Sequence, residues 1–211
     1  MLYKEFEIGD LTTKEVDYIL KTKPFHKKVD PKGKVVMDCG GFFGANAWRF
    51  VSAGAKHVIS YEAAPKNYEL LRQNGSKFGF EAVYAKLVSH DRKMDHLALH
   101  PKFAASNSGV IISKKSSSVE VPCLNFCKEL LRVSPHILVM DCEGAEYDLL
   151  SGLKVPGFLQ WVVVEFHQTA KNQILFEQIV GDVFKPFTLI HKINNGSSFS
   201  KADNRIYTWK R

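Results

Sequence analysis

Apolar positions along the chain fall into two alternating rhythms. Short apolar, β-branched runs bounded by Gly, Pro, Asn or Asp predict buried strands. Longer stretches with apolar residues every third or fourth position predict helices. The first helical rhythm covers residues 10–21, where Leu11, Val16, Ile19 and Leu20 are apolar and Thr12 or Thr13 is placed to cap the start. Pro24 and Pro31 bracket a basic connection. Beyond it, strands are predicted at Lys34–Cys39, His57–Tyr61, Glu81–Val88, His136–Met140 and Trp161–Phe166. Helices are predicted at Ala45–Ala53, closed by Gly54, and at Pro65–Phe78, opening on Pro. Further helices are expected at Leu124–Val133, Tyr147–Leu153 and Asn172–Val183. Residues 94–121 break the rhythm, and LALH, SNSGVIIS and SVEVP predict short antiparallel strands or an ordered loop. Thr188–Lys192 and Arg205–Lys210 read as closing strands, separated by the Gly/Ser/Asn turn Asn194–Ser200.

Strands alternating with helices imply right-handed crossovers and a mostly parallel sheet between helical layers. The last connection is too short for a crossover helix, so the closing strands should pair antiparallel. The expected fold class is α/β, a Rossmann-like sandwich whose seven-stranded, mostly parallel sheet ends in an antiparallel C-terminal hairpin. Ligands of such sheets bind beyond the carboxyl ends of the strands, at the topological switch point.

A chain of 211 residues with 45% hydrophobic content fits one domain. Its expected parts are an N-terminal helix and basic arm (1–33) and a core (34–211) with an insertion near 94–121. No stretch approaches the roughly 18 apolar residues of a membrane span. The opening MLYKEFEIGDLTTKEVDYIL carries acids and lacks the apolar region of a signal peptide, so a cytoplasmic location is expected. Cys39 and Cys142 fall at strand ends, which suits reduced thiols, and Cys123 and Cys127 have no nearby His or Cys pair to complete a zinc site. The net charge is +7, concentrated in Lys21, Lys23, Lys27, Lys28, Lys32 and Lys34, with Lys114 and Lys115 in a Ser-rich loop. Arginine is scarce there and no aromatics interleave, so a solvated lysine face is expected rather than a nucleic-acid partner.

Candidate chemistry begins at VVMDCGGFFGANAWRF, residues 35–50. A dinucleotide fingerprint ending at Gly44 needs Gly at position 39, where Cys stands, and no Gly-Lys-Ser/Thr follows to make a P-loop. What remains is Asp38, Gly40 and Gly44, an acid before a bare-backbone loop that opens a helix. That acid would repel a pyrophosphate but suits a cationic amino group, while the helix start offers N–H donors to a carboxylate. An amino-acid end group has both charges, and S-adenosylmethionine adds a sulfonium to it. Glu62 ends the second strand with Ala63 beside it, placed to accept ribose hydroxyls. Ser89, His90 and Asp91 end the third, and Ser89 is the preferred contact for an adenine edge. The fourth strand ends in MDCEGAEYDLL, which crowds Asp141, Glu143 and Glu146 around Gly144; Glu146 also reads as a helix cap. The fifth ends VVVEFHQ, with Glu165 and His167 two apart and so on one face.

Together these segments resemble the FkbM-type S-adenosylmethionine-dependent methyltransferase family. The resemblance rests on DCGGFFG (38–44), YEAAPKNYELLRQN (61–74), SVEVPCLNFCKELL, MDCEGAEYDLLSG (140–152) and VVVEFH (162–167). The chain departs from the family's pattern at Met140, where a Lys is usual, and at Leu124-Asn125-Phe126, where a Leu-Asp-Asp turn is frequent. The resemblance implies a class I methyltransferase fold and O-methylation of a hydroxyl, often on a sugar or glycan. It assigns Asp38, Gly40 and Gly44 to the methionine part, Glu62 to the ribose, and Asp141 to the space beside sulfonium and acceptor. By size and pattern it also fits a module of a larger glycosyl-transfer protein. His167 or Asp141 is then the expected base, with Glu165 orienting His167. The acids of the two strand tips alternatively hold one divalent cation, and the sequence leaves the metal open. The acceptor is expected to meet Glu143 and the insertion, through Asn107, Ser108 and Phe103. Rival readings are a nucleic-acid or small-molecule methyltransferase, a non-catalytic nucleoside-binding module, and a nicotinamide oxidoreductase.

Overall fold

A computed structural model describes residues 5–22, 28–99, 117–168, 173–195 and 203–211. Its seven-stranded sheet contains β1 (Val35–Cys39), β2 (His57–Glu62), β3 (Glu81–Tyr84), β7 (Ile137–Met140), β8 (Trp161–Gln168), β9 (Thr188–Asn195) and β10 (Asp203–Lys210). The strand order is β3-β2-β1-β7-β8-β10-β9. Pairings from β3 across to β8 are parallel, and β10 runs antiparallel to both β8 and β9. The expected sheet and its hairpin are therefore present. The order reverses between β1 and β7, so their carboxyl ends form the switch point.

Continuous apolar runs explain the middle of the sheet. Every residue of ILVM in β7 is buried, as are all but the first of VVMDC in β1. Strands covered on both faces read this way. Alternation divides them between two cores. Val36, Val58, Ile137, Val139 and Val163 pack on one face with Phe50 and Leu71 of the helices α2 (Ala45–Ser52) and α3 (Pro65–Phe78). Met37, Leu138, Met140, Val162 and Val164 pack on the other with Phe126 and Leu130 of α4 (Phe126–Val133) and Ile179 of α6 (Gln173–Asp182).

The N-terminal helix α1 (Thr13–Thr22) starts on a capping box: Glu15 Oε2 accepts from Thr12 N at 2.8 Å, and Thr12 Oγ1 accepts from Glu15 N at 3.3 Å. Arg49 of α2 ties it to the core by donating to the carbonyls of Ile19 (2.9 Å) and Leu20 (2.7 Å).

Two expectations shift. The predicted strand Glu81–Val88 divides at Ala85 into β3 and β4 (Lys86–Val88). Ala85 N donates to Glu62 O at 3.1 Å, and the chain then leaves the edge of the main sheet. β4 joins a second, three-stranded sheet of order β4-β6-β5, with β5 (Met94–Leu99) and β6 (Ser117–Asn125) antiparallel. Leu124 belongs to β6 rather than to the following helix, because Asn125 caps α4 by accepting from Lys128 N at 3.0 Å. The segment between β5 and β6, with Asn107, Ser108, Phe103, Lys114 and Lys115, lies outside the described residues, as do Lys23 and Lys27. Among the described residues no helix is long and apolar enough to cross a membrane, and all four cysteines are free thiols.

Candidate functional site

The loop after β1 is pinned to β2. The carbonyl of Tyr61 accepts from both Gly40 N (3.0 Å) and Gly41 N (2.9 Å). Gly40 has φ +90°, and a Cβ on it would stand 2.0 Å from the Asp141 carbonyl oxygen, so backbone passes backbone where only glycine fits. Gly44, at φ +94°, is the N-cap of α2 with no side-chain cap. Phe42 adopts φ +51°, a left-handed conformation that costs a non-glycine residue on the order of 1 kcal/mol. Its N–H donates to Glu62 Oε2 at 2.9 Å, which stabilises that turn.

Asp38 lies opposite Ser60 in the β1–β2 register. It is 1% exposed, and its Oδ2 accepts from Ser60 Oγ at 2.6 Å. Its Oδ1 is buried without a hydrogen-bond partner among the described residues. Burial pushes the Asp38 carboxyl up to about 7, against the Ser60 hydrogen bond and with help from the negative charges of Asp141 and Glu62. Glu62 is also buried, and Ala64 N donates to its Oε1 at 2.7 Å. Burial raises its pKa, while the N–H groups of Ala64, Phe42 and Ala63 and the Asn67 side chain pull it back. These donors fix both carboxylate oxygens at the end of β2.

The second half of the site is the turn after β7. Asp141 N donates to Cys39 O at 2.9 Å, which locks this turn beside the β1 loop. Glu143 sits at φ +53° and Gly144 at φ +102°. Glu146, the first residue of α5 (Glu146–Leu150), is fully buried and braces the turn. Its Oε1 accepts from Cys142 N at 2.5 Å, and its Oε2 from Gly144 N at 2.8 Å.

His167 enters this turn from the end of β8. Its Nδ1 is 3.4 Å from Glu146 Oε1, and its Nε2 is 3.3 Å from Glu143 Oε2 and 3.7 Å from Asp141 Oδ1. Burial disfavours the imidazolium, but the Glu146 hydrogen bond and the charges of Glu143, Glu146 and Asp141 outweigh it and raise His167 to about 10. Glu165, 1% exposed, contributes a carboxylate oxygen within 4.8 Å of ligand atoms of both Asp141 and His167. Six carboxylates thus meet at one sheet edge of a chain whose net charge is +7. Such an edge suits a cationic ligand.

The structure brings together Asp38, Gly40, Gly44, Glu62 and Ala63 on one side and Asp141, Glu143, Glu165 and His167 on the other. It sets Ser89 apart: Ser89 is exposed beyond β4, with Oγ 3.2 Å from His90 Nδ1. Asn107 lies outside the described residues. Sequence reasoning missed Ser60, although a parallel pairing of the first two strands already sets it opposite Asp38. It read Glu146 as a cap, because capping and bracing a turn demand the same acid at the same position. A separate groove of about 570 Å³, lined by Lys28, Val29, Asp30, Lys34, Gln160, Trp161 and Lys210, lies at the opposite end of the sheet, away from the acids.

The family model described as the methyltransferase FkbM domain matches residues 38–193. No curated protein sequence matches the chain. Among solved structures, the chain is similar to the precorrin-6y C5,15-methyltransferase of Geobacter metallireducens GS-15 (12% identity, TM-score 0.53, covering 99% of this chain and 95% of that one). It is also similar to Aeropyrum pernix fibrillarin with natively bound S-adenosyl-L-methionine (9% identity, TM-score 0.52, 93% and 74%). A third is the O-methyltransferase from Bacillus cereus in complex with SAH (10% identity, TM-score 0.50, 100% and 86%). At these identities the likeness is one of fold.

Proposed function

The chain belongs to the FkbM methyltransferase family, and from that premise we propose that it transfers a methyl group from S-adenosylmethionine to a hydroxyl of a sugar or glycan. The observation that carries the cofactor reading is Asp38 Oδ1, a buried carboxylate oxygen with no partner among the described residues, beside a loop that only glycine can thread. A cationic amino group answers that charge. The uncapped start of α2 behind Gly44 supplies N–H donors for the carboxylate of the same end group. Glu62, its carboxylate fixed at the end of β2 by the N–H groups of Phe42 and Ala64, is the proposed partner of the ribose hydroxyls, and Ala63 adjoins it. Ser89 remains the proposed adenine-edge contact, which requires its side chain to turn from His90.

The bound cofactor supplies a methyl group already activated on a sulfonium, which passes to the acceptor oxygen while the carbon–sulfur pair stays on sulfur. The chain's own residues align the acceptor and remove its proton. Both ring nitrogens of His167 face carboxylates, Glu146 at 3.4 Å and Glu143 at 3.3 Å. Held between these carboxylates, the imidazole is a positioning group, so the proton passes to Asp141, and His167 with Glu165 orients that carboxylate. Glu143 and Asn107 are the proposed contacts to the acceptor. Polar side chains around an acidic edge favour a polyhydroxylated acceptor, and the acids oppose the close approach of a nucleic-acid backbone. A location in the cytoplasm and membership of a larger glycosyl-transfer protein are both compatible with this role.

Calorimetric titration with S-adenosylhomocysteine, with NAD as control, tests the reading on wild type and Glu62→Ala. The expected result is micromolar binding that NAD does not show and that the variant loses. Wild-type protein that prefers NAD or binds neither nucleoside refutes the cofactor. A panel of sugar and glycan acceptors, assayed for mass gain, then tests the substrate class.

A further inference from the structure

Asp141, Glu165 and His167 offer one ligand atom each, all within 4.8 Å of one another, from the tips of the adjacent strands β7 and β8. Two carboxylate oxygens and an imidazole nitrogen make a donor set for a divalent cation of the Mn²⁺, Fe²⁺ or Zn²⁺ kind. Crowded acids alone would not argue for a site. The independent observation is how the imidazole is held. Glu146, fully buried and fixed by the N–H groups of Cys142 and Gly144, faces Nδ1 at 3.4 Å, while Nε2 lies on the other side, 3.3 Å from Glu143 and 3.7 Å from Asp141. Metal-binding histidines are oriented in this way, with the second ring nitrogen donating to a carboxylate that is itself anchored.

Resting on the methyl-transfer reading above, we propose that Asp141, Glu165 and His167 bind one divalent cation, with Glu146 as the positioning residue behind His167. Three protein ligands leave coordination positions open, and a sugar hydroxyl is an oxygen ligand of the right kind to enter one. The cation lowers the acidity barrier of that hydroxyl. Its O–H proton passes to a carboxylate oxygen of Asp141 that the cation does not use, and the freed oxygen pair forms the bond to the methyl carbon. The preference for hydroxyl acceptors, and for vicinal diols that can fill two open positions, follows from this site.

The test adds Mn²⁺ alone to the chelator-treated full chain and follows loss of the free-ion electron paramagnetic resonance signal. One Mn²⁺ per chain is expected, with affinity falling about 10–100-fold in Glu146→Gln and by at least as much in Glu165→Gln and His167→Gln. Spin-echo modulation from an imidazole nitrogen in wild type checks the assignment without any substitution. Absence of Mn²⁺ uptake by wild type, or equal uptake by all variants with no nitrogen coupling, overturns the proposal. S-adenosylhomocysteine titration of the same samples separates the two readings. Nucleoside binding without Mn²⁺ sinks only the metal site, whereas Mn²⁺ binding without nucleoside sinks only the cofactor. Nucleoside binding retained in a variant shows that it has folded.

Discussion

S-adenosylhomocysteine should bind about tenfold more weakly near pH 6 than near pH 8, and Asp38→Asn should flatten that slope. Asp38 is buried, its carboxyl pushed up to about 7 in the empty site. An ammonium group binds the ionised form, so protons compete with the ligand. Apparent Kd then scales as 1 + 10^(pKa − pH), about 11 near pH 6 and about 1.1 near pH 8. One decade corresponds to about 1.4 kcal/mol. The sign for stability runs the other way. A carboxyl whose folded pKa is raised stabilises the empty protein below its unfolded value of about 4. That contribution is lost as pH rises through about 7, and the bound ammonium offsets the loss. Titration calorimetry in two buffers of different ionisation enthalpy reads both quantities, with nearly one proton released per ligand near pH 6 and almost none near pH 8. Ser60→Ala is the control: removing the 2.6 Å hydrogen bond should move the midpoint upward. A pH-independent affinity in wild type, or a slope that survives Asp38→Asn, refutes the assignment of Asp38 to the amino group.

Gly40→Ala should destabilise the fold by roughly 2–4 kcal/mol, from left-handed backbone strain plus overlap with the Asp141 carbonyl; a melting temperature within a degree of wild type would contradict it. Glu62→Gln should keep the turn at Phe42 better than Glu62→Ala, because the amide oxygen still accepts one N–H; equal losses on urea denaturation would count against that brace. Tyr61→Phe removes a hydroxyl that donates to Glu129 at 2.8 Å and accepts from Arg132 at 3.1 Å. It should cost about 1–2 kcal/mol in urea denaturation, with nucleoside affinity unchanged. His167→Ala should lower turnover far more than cofactor affinity, and an unchanged rate would remove it from the mechanism.

The order of strands and helices was legible because burial on both faces writes continuous apolar runs, as in ILVM and WVVV, and because turns and helix ends draw on few residue types. The loop after β1 and the end of β2 were legible for a local reason. An acid at the end of an apolar run, glycines opening a helix and an acid before Ala-Ala-Pro place Asp38, Gly40, Gly44 and Glu62 at strand ends and loop without any distant contact. The division of the third strand was not, since nothing in EAVYAKLV marks Ala85 as the residue where pairing moves from β2 to β6. The same move left Ser89 beyond a different sheet from the one its position in the sequence suggests.

By itself the sequence determined the α/β class and the residues at the carboxyl ends of β1, β2, β7 and β8, because those follow from periodicity and from parallel strands sharing one polarity. Only the tertiary structure decided how the tips combine. The pairing of β7 with β8 carries His167 into the turn at Asp141–Glu146, and the burial of Glu146 turns an ordinary helix-start acid into the brace behind that imidazole. Charge and protonation at such a cluster depend on distances between residues far apart in the chain and on the loss of water around them. Neither quantity has a local signature in the order of amino acids.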